Sequence, residues 1–380
     1  RLLAVATLAI SVWSSSNAAA QTTADSYREQ VNANTVTIIG GSLTGTYLRL
    51  ADDIARVINN GNEMRVLAIR GGPVTNTRDI LYLRGIDMAI IRSDVFEILQ
   101  NKPLFANLNA RLNYVTPLHL EEFHLMASDP SIRSSADLEG KVVAFHNESY
   151  VSATLMLSRV GIKLKKAIKT TMFVGAEKTK SGEYDAVVRI TGKPFQGVDR
   201  LLKINPKLRL LPIRYHNNLI NSPYVPTEVA HEDYPRLLPE GEKIETVAVK
   251  AVLGVYNWKP GTDRHRRLVR FTNAFFSNYE KILRQAGRHK KWDTINIASR
   301  INGWQRFPPA AEWVKRWQAQ RGKTGFDQAR RLAAKFRAYV RSDPQLADKG
   351  LTDAETEKLF DEFMQWIKSR SSGTQQRAAQ

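Results

Sequence analysis

The chain has no cysteine. Disulfides, thiolate nucleophiles and cysteine-ligated metals are therefore excluded, as is a lipid anchor on cysteine. Catalytic signatures are missing too. The sequence contains no Gly-x-Ser-x-Gly elbow, no Gly-x-x-x-x-Gly-Lys-Ser/Thr phosphate loop and no Gly-x-Gly-x-x-Gly dinucleotide loop. Long apolar runs are also scarce. Leu2 to Val12 is too short to span a bilayer, and no later stretch reaches the ~20 apolar residues that a spanning helix needs. That first run follows Arg1 and precedes a polar break, Ser14 to Asn17, and then Ala18, Ala19 and Ala20. This is the layout of a secretory signal peptide over residues 1–20. The expectation is a mature protein that starts near Gln21, lies outside the cytoplasm and is not lipid-anchored.

What is present is enough for two cores. Of 380 residues, 43% are apolar, which suits two lobes of ordinary domain size better than one compact core. The formal charge is +19, and it is uneven: from Gly261 onward 25 Lys and Arg stand against 12 Asp and Glu. In an exported chain this favours anionic solutes, anionic lipid or an acidic partner surface over nucleic acid. A solvated basic face with no partner explains the same count.

Short β-branched runs alternate with helical patterns. Thr35 to Ile39, Met64 to Ile69 and Ile86 to Ile91 read as strands, each followed by a small-residue loop and a helix. Ser93 and Asp94 cap the third of these helices. The pattern restarts at Phe123 to Ala127, Val142 to Phe145 and Tyr184 to Ile190. Val247 to Val255 is a nearly continuous apolar strand, expected to return to the first lobe and pair with Phe123 to Ala127 as half of a hinge. This pacing predicts parallel sheets with helical crossovers. Arg266 to Arg284 is strongly helical, and Thr352 with Glu355 forms a capping-box pair near the end. The divisions that follow are a linker over 21–34, a first lobe over 35–122, and a second lobe with hinge over 123–246. A return to the first lobe covers 247–321, and a helical extension with a frayed tail covers 322–380.

The candidate site residues lie where strands end and helices begin. There, free amides and the positive end of a helix dipole face one crevice. In the first lobe these are Ser42, Thr44, Gly45, Thr46 and Tyr47, then Arg70, Gly72, Thr75 and Asn76, then Arg92, Ser93 and Asp94. In the second lobe they are Ser149, Tyr150 and Ser152, then Arg189, Thr191 and Gly192. Arg70 and Arg92 stand where a carboxylate could be gripped bidentately. A surface charge, or an ion pair to Asp94 or Asp79, is the competing role for each. His119 and His124 with Glu121 and Glu122 lack the spacing of a metal-binding helix face; they read as ordinary hinge or surface residues. No nucleophile–base pair or metal set emerges, so the reading is a binding protein without cofactor and not an enzyme.

Several of these segments together resemble a known family. Gly40-Gly41-Ser42-Leu43-Thr44-Gly45-Thr46-Tyr47, Arg70-Gly71-Gly72-Pro73-Val74-Thr75-Asn76 and Gly85-Ile86-Asp87-Met88-Ala89-Ile90-Ile91-Arg92-Ser93-Asp94 are similar to the TAXI family. Its members are the solute receptors of TRAP (tripartite ATP-independent periplasmic) transporters. The likeness extends through Asp137 to Ala144, Tyr184 to Val188, Gly192-Lys193-Pro194 and Glu245 to Val249. The resemblance implies an α/β chain of the type II periplasmic-binding fold. That fold has two α/β lobes and a hinge of two crossover strands; here a C-terminal helical extension is added. It also implies a small anionic solute, an acidic amino acid or another carboxylate, held in the interlobe cleft. The partners so implied are TRAP permease subunits in the membrane, met by a periplasmic, monomeric receptor. A sensor that presents its ligand-bound state to a protein partner is the alternative use of the same fold.

Overall fold

The computed structural model describes residues 23–43, 45–61, 63–320, 352 and 355. The chain divides into two units, Arg1–Trp313 and Val314–Gln380. The expected signal peptide, Thr44 and nearly all of the expected C-terminal extension lie outside the described residues. Within the second unit, Thr352 and Glu355 form the anticipated capping box. The Thr352 amide and hydroxyl donate to Glu355 Oε2 at 2.9 and 2.7 Å, and the Glu355 amide returns to Thr352 Oγ1 at 3.3 Å.

The first unit is built on one bent sheet of ten strands whose path runs β2-β1-β3-β10-β4-β7-β5-β6. A helix over residues 23–33 (α1) precedes β1, Thr35–Ile39. Then come α2 (Thr46–Ile58), β2 (Arg65–Ile69), α3 (Thr75–Tyr82), β3 (Met88–Arg92) and α4 (Ser93–Gln100). β1 pairs in parallel with both β2 and β3. All five residues of β3 are buried, as expected of a parallel strand covered on both faces.

The short α5 (Leu108–Arg111) leads into β4, Leu112–Ala127, which is far longer than the five residues its second half suggested. The second lobe contributes β5 (Val142–His146), α6 (Tyr150–Arg159), β6 (Lys166–Thr170), α7 (Met172–Lys180), β7 (Ala186–Thr191), α8 (Val198–Ile204), β8 (Arg209–Leu211) and β9 (Tyr224–Ala230). Period-two alternation gives its sheet two apolar faces. Phe123, Leu125, Phe145 and Val188 enter one core, and Met126, Ala144 and Val187 enter the other.

β10, Lys243–Tyr256, returns to the first lobe, and α9 (Asp263–Ser277) and α10 (Tyr279–Arg284) follow. The hinge is therefore two long strands, β4 and β10, that each serve both lobes. Their pairing corrects the expected register. β10 lies against Leu112 to Glu122, whereas Phe123 to Met126 is taken by β7 and Leu125 to Ala127 also by β8. The β4–β10 ladder is irregular between Lys250 and Val252 and again between Leu253 and Gly254. Such irregularities bend a strand, and they sit where one lobe gives way to the other. Two α/β lobes joined by paired crossover strands are the type II periplasmic-binding arrangement.

Candidate functional site

The C-terminal ends of β1 and β3 from one lobe and of β5 and β7 from the other meet at the hinge. Between them lies a narrow crevice, with ≈ 40 Å³ of free space, that opens to solvent. Seven of the anticipated residues line it: Ser42, Gly45, Thr46, Tyr47, Arg92, Arg189 and Thr191. Glu121 and Glu148, which sequence reading did not place in a site, line it as well.

The first-lobe wall is a tight backbone turn. A Cβ on Gly40 would fall 2.9 Å from Leu48 Cα, and one on Gly71 would fall 2.2 Å from Asn76 Oδ1. Asn76 itself is fully buried. Its Nδ2 donates to the carbonyls of Gly40 and Ile90 at 2.6 and 2.7 Å, and its Oδ1 accepts from the Gly72 amide at 2.8 Å. Asn76 thus ties the loops after β1 and β2 to strand β3. Gly45 caps α2 without a side-chain cap, which leaves first-turn amides at the crevice.

Arg92 takes the ion-pair role weighed for it. Its side chain is buried, with Nε 3.4 Å from Asp94 Oδ1 and 3.9 Å from Glu121 Oε2. Its Nη2 crosses the crevice to donate to Ser152 Oγ at 2.5 Å and to the Glu148 carbonyl at 3.1 Å. Burial opposes its charge, but Asp94 and Glu121 outweigh that and raise its pKa. Asp94 Oδ1 also accepts from the Val95 amide at 2.8 Å. Glu121 accepts a 2.7 Å hydrogen bond from Tyr47 Oη. Burial lifts the Glu121 carboxyl to about 7, with Arg92 and Tyr47 pulling only partly the other way.

The rest of the expected set is near but differently employed. Ser149 Oγ is buried and accepts from the Ile190 amide at 2.9 Å, so it joins α6 to β7. Tyr150 packs edge-on against Phe145 at 5.9 Å. Thr75 donates to the Gly72 carbonyl at 3.2 Å, and Arg70 is exposed at the end of β2. Ser93 lines a different crevice. A Cβ on Gly72 would lie 3.4 Å from Glu148 Oε1 of the other lobe, and one on Gly192 would lie 3.0 Å from the Lys291 side chain and 3.3 Å from His119.

The hinge carries a polar cluster that sequence reading treated as ordinary. His119, Glu121, Glu122 and His124 are all buried, which removes the surface reading and leaves the hinge one. Glu122 Oε1 accepts from Lys291 Nζ at 2.7 Å, and its Oε2 accepts from the Lys193 amide at 2.7 Å. His124 is held as a neutral ring by Tyr234 Oη at Nε2 (2.7 Å) and the Glu122 carbonyl at Nδ1 (2.9 Å). Burial pushes it down to about 3. Strand alternation alone could not reveal this cluster, because consecutive buried polar residues arise only where a strand passes between two lobes. Among the described residues no group of three His, Asp or Glu could hold a metal ion.

Arg189 is the group with the most capacity left over. It stacks on Phe195, with its guanidinium carbon 4.6 Å from the ring centroid. Its Nε is buried without a hydrogen-bond partner. Burial lowers its pKa, although Glu148 and Glu121 partly offset this.

No family model matches the chain, and no curated protein matches it. Among solved structures it is similar to a histidine kinase sensor domain with similarity to periplasmic binding proteins (12% identity, 73% of this chain and 100% of that one, TM-score 0.40). It is also similar to a TctC solute-binding protein from Polaromonas (12%, 69% and 88%, TM-score 0.42). A third is a periplasmic sulfonate-binding protein from Methylobacillus flagellatus KT (14%, 74% and 76%, TM-score 0.41). Likenesses at this level assign no ligand, and the strand order and double-strand hinge carry the fold class by themselves. Among the described residues no helix is long and apolar enough to cross a membrane.

Proposed function

We propose that the chain is a solute-binding receptor that captures a small carboxylate-bearing ligand, of amino-acid type, between its lobes and does no chemistry on it. The observation that carries this reading is Arg189, a guanidinium with a buried, unpartnered Nε at a crevice that also holds the uncapped start of α2. A ligand carboxylate would satisfy both, by a charge-assisted hydrogen bond from lobe two and by amides and hydroxyls from lobe one. Glu148 and Glu121 stand in the same crevice. They suit an ammonium group on the same ligand and disfavour a simple dianion. Closure would follow from the ligand binding the closed state more tightly than the open one; moving a 1:99 population to 99:1 takes ~5.5 kcal/mol. Delivery to a TRAP permease in a periplasm is what the TAXI resemblance adds to this reading, with a monomeric receptor as its form.

Calorimetric titration with acidic, neutral and basic L-amino acids and with dicarboxylates tests the proposal. At least one amino acid should bind, with affinity about tenfold or more weaker in R189Q. No binding across all four groups, or binding that R189Q leaves unchanged, sinks it.

A further inference from the structure

The seam between the lobes has a second opening. β3 and β9 lie end to end beside β10, with Arg92 level with Ala251 and Tyr224 level with Val249. Lys250 falls in the joint, and its amide donates to Ser93 Oγ at 3.3 Å. Around this joint is a crevice of ≈ 260 Å³, open to solvent and lined from both lobes and the hinge. Phe96, Glu97 and Arg300 come from the first lobe, Pro223 and Val225 from the second, and Lys250 from β10.

Its charges do not balance. Lys250 is half-buried, and among the described residues its Nζ reaches only the Arg300 carbonyl, at 3.4 Å. Among the described residues neither Lys250 nor Arg300 forms an ion pair. The acid on the wall, Glu97, is taken by Arg159, whose guanidinium lies 5.7 Å from the centre of the Tyr224 ring. Burial lowers the Lys250 pKa, and no neighbouring charge offsets it. The floor is apolar and firm: Phe96 stacks on Trp304 at 3.9 Å, and Ile301 is buried beside them.

We propose that this lateral crevice is a second binding site, for a small organic carboxylate whose head pairs with Lys250 and Arg300 and whose short hydrocarbon body lies against Phe96 and Val225. The head supplies the counter-charge that the pocket lacks, which is the circumstance in which a partly buried ion pair adds most. The body removes apolar surface from water, which a hydrated inorganic anion cannot do. Because both lobes and β10 contribute, occupancy of this site is tied to the angle between the lobes. The inference does not depend on what occupies the Arg189 crevice.

The test is titration of the full chain with sodium butyrate by calorimetry, beside inorganic phosphate and neutral butyramide. Butyrate should bind the native chain and R189Q alike and bind K250M about tenfold more weakly. Phosphate and butyramide should bind much more weakly than butyrate. In the unaltered protein, butyrate should slow reductive methylation of Lys250 and leave exposed lysines unaffected, as read by mass spectrometry. Should K250M fail to fold, K250R, which keeps the charge, and the methylation assay still decide. Absence of butyrate binding, loss of it in R189Q with K250M unaffected, phosphate binding as tight as butyrate, or no protection of Lys250 each overturns the proposal.

Discussion

Arg92 of the first lobe donates to Ser152 Oγ of the second across 2.5 Å, next to the start of α6. This bond joins the lobes at the crevice, and Arg92 can form it because Asp94 and Glu121 keep its buried charge compensated. Removing the acceptor leaves a buried guanidinium short of one partner, a loss of about 1–3 kcal/mol. Ser152→Ala should therefore shift the lobes toward the open form. Small-angle scattering or a fluorescence distance across the lobes would show a larger mean separation in S152A than in the parent. Identical separations would mean that Arg92 and Ser152 do not hold the closed form.

Glu121 and two histidines set opposite pH trends. Glu121 titrates near 7 in the folded protein because burial disfavours its charge, against an ordinary value of 4.5. Between these values the folded state keeps a proton that the unfolded chain has lost, so this stabilisation is full below about 4.5 and is lost as pH rises through 7. His124 and His146 are pushed by burial from 6.5 to about 3 and about 4. Their contribution is present above 6.5 and is lost as pH falls toward those folded values. Glu121→Gln keeps an acceptor for Tyr47 but cannot titrate. The stability difference between E121Q and the parent should grow in favour of E121Q from pH 5 to 8, by on the order of 2 kcal/mol. Urea unfolding at four pH values measures it, and parallel curves would contradict the assignment.

How legible this was depends on what each feature requires. β1 was readable to the residue because a parallel strand is a short apolar run bounded by turn residues. The hinge was only half readable. β4 continues upstream from Phe123 through Pro117 and five buried polar side chains, and nothing local marks such a stretch as a strand. Glycine-rich loops located the crevice through their shared strand-to-helix position. They could not tell Ser42, which lines it, from Asn76, which spends its amide on two loops and strand β3, because that distinction is one of side-chain direction. Arg189 was named from its place at the end of β7. Its unpartnered Nε became visible only once Phe195 was seen beneath it.

Asp53 anchors the C-terminal part of the first lobe. It is fully buried on α2, and its Oδ2 accepts from Trp292 Nε1 and from the His289 amide, both at 2.9 Å. Asp53→Ala would strand both donors in a dry site, at a cost of about 2–4 kcal/mol. Asp53→Asn keeps one oxygen acceptor and should recover part of that. Thermal unfolding should rank parent, D53N and D53A in falling order. Because Lys291, next to Trp292, holds Glu122 of the hinge at 2.7 Å, D53A should also weaken ligand binding without touching the crevice. Equal melting temperatures for D53A and the parent would remove Asp53 from this role.

Gly71 gives the most direct test of how the first-lobe wall is built. A methyl group there would lie 2.2 Å from Asn76 Oδ1, 2.5 Å from Ile39 Cγ1 and 3.0 Å from the Gly40 carbonyl. No side-chain rotation relieves all three, because Asn76 is fixed by bonds to Gly40 and Ile90 and Ile39 belongs to β1. Gly71→Ala must therefore push the β2–α3 loop away from β1, which opens the turn that carries Ser42 and Gly45. Overpacking of this kind costs about 1–3 kcal/mol. The expected result is a lower melting temperature together with ligand affinity reduced about tenfold or more. Gly61→Ala, at a turn where the added carbon meets nothing within 4 Å but φ is +76°, should lower stability without changing affinity. If both variants keep native affinity, the close approach at Gly71 has no part in shaping the crevice.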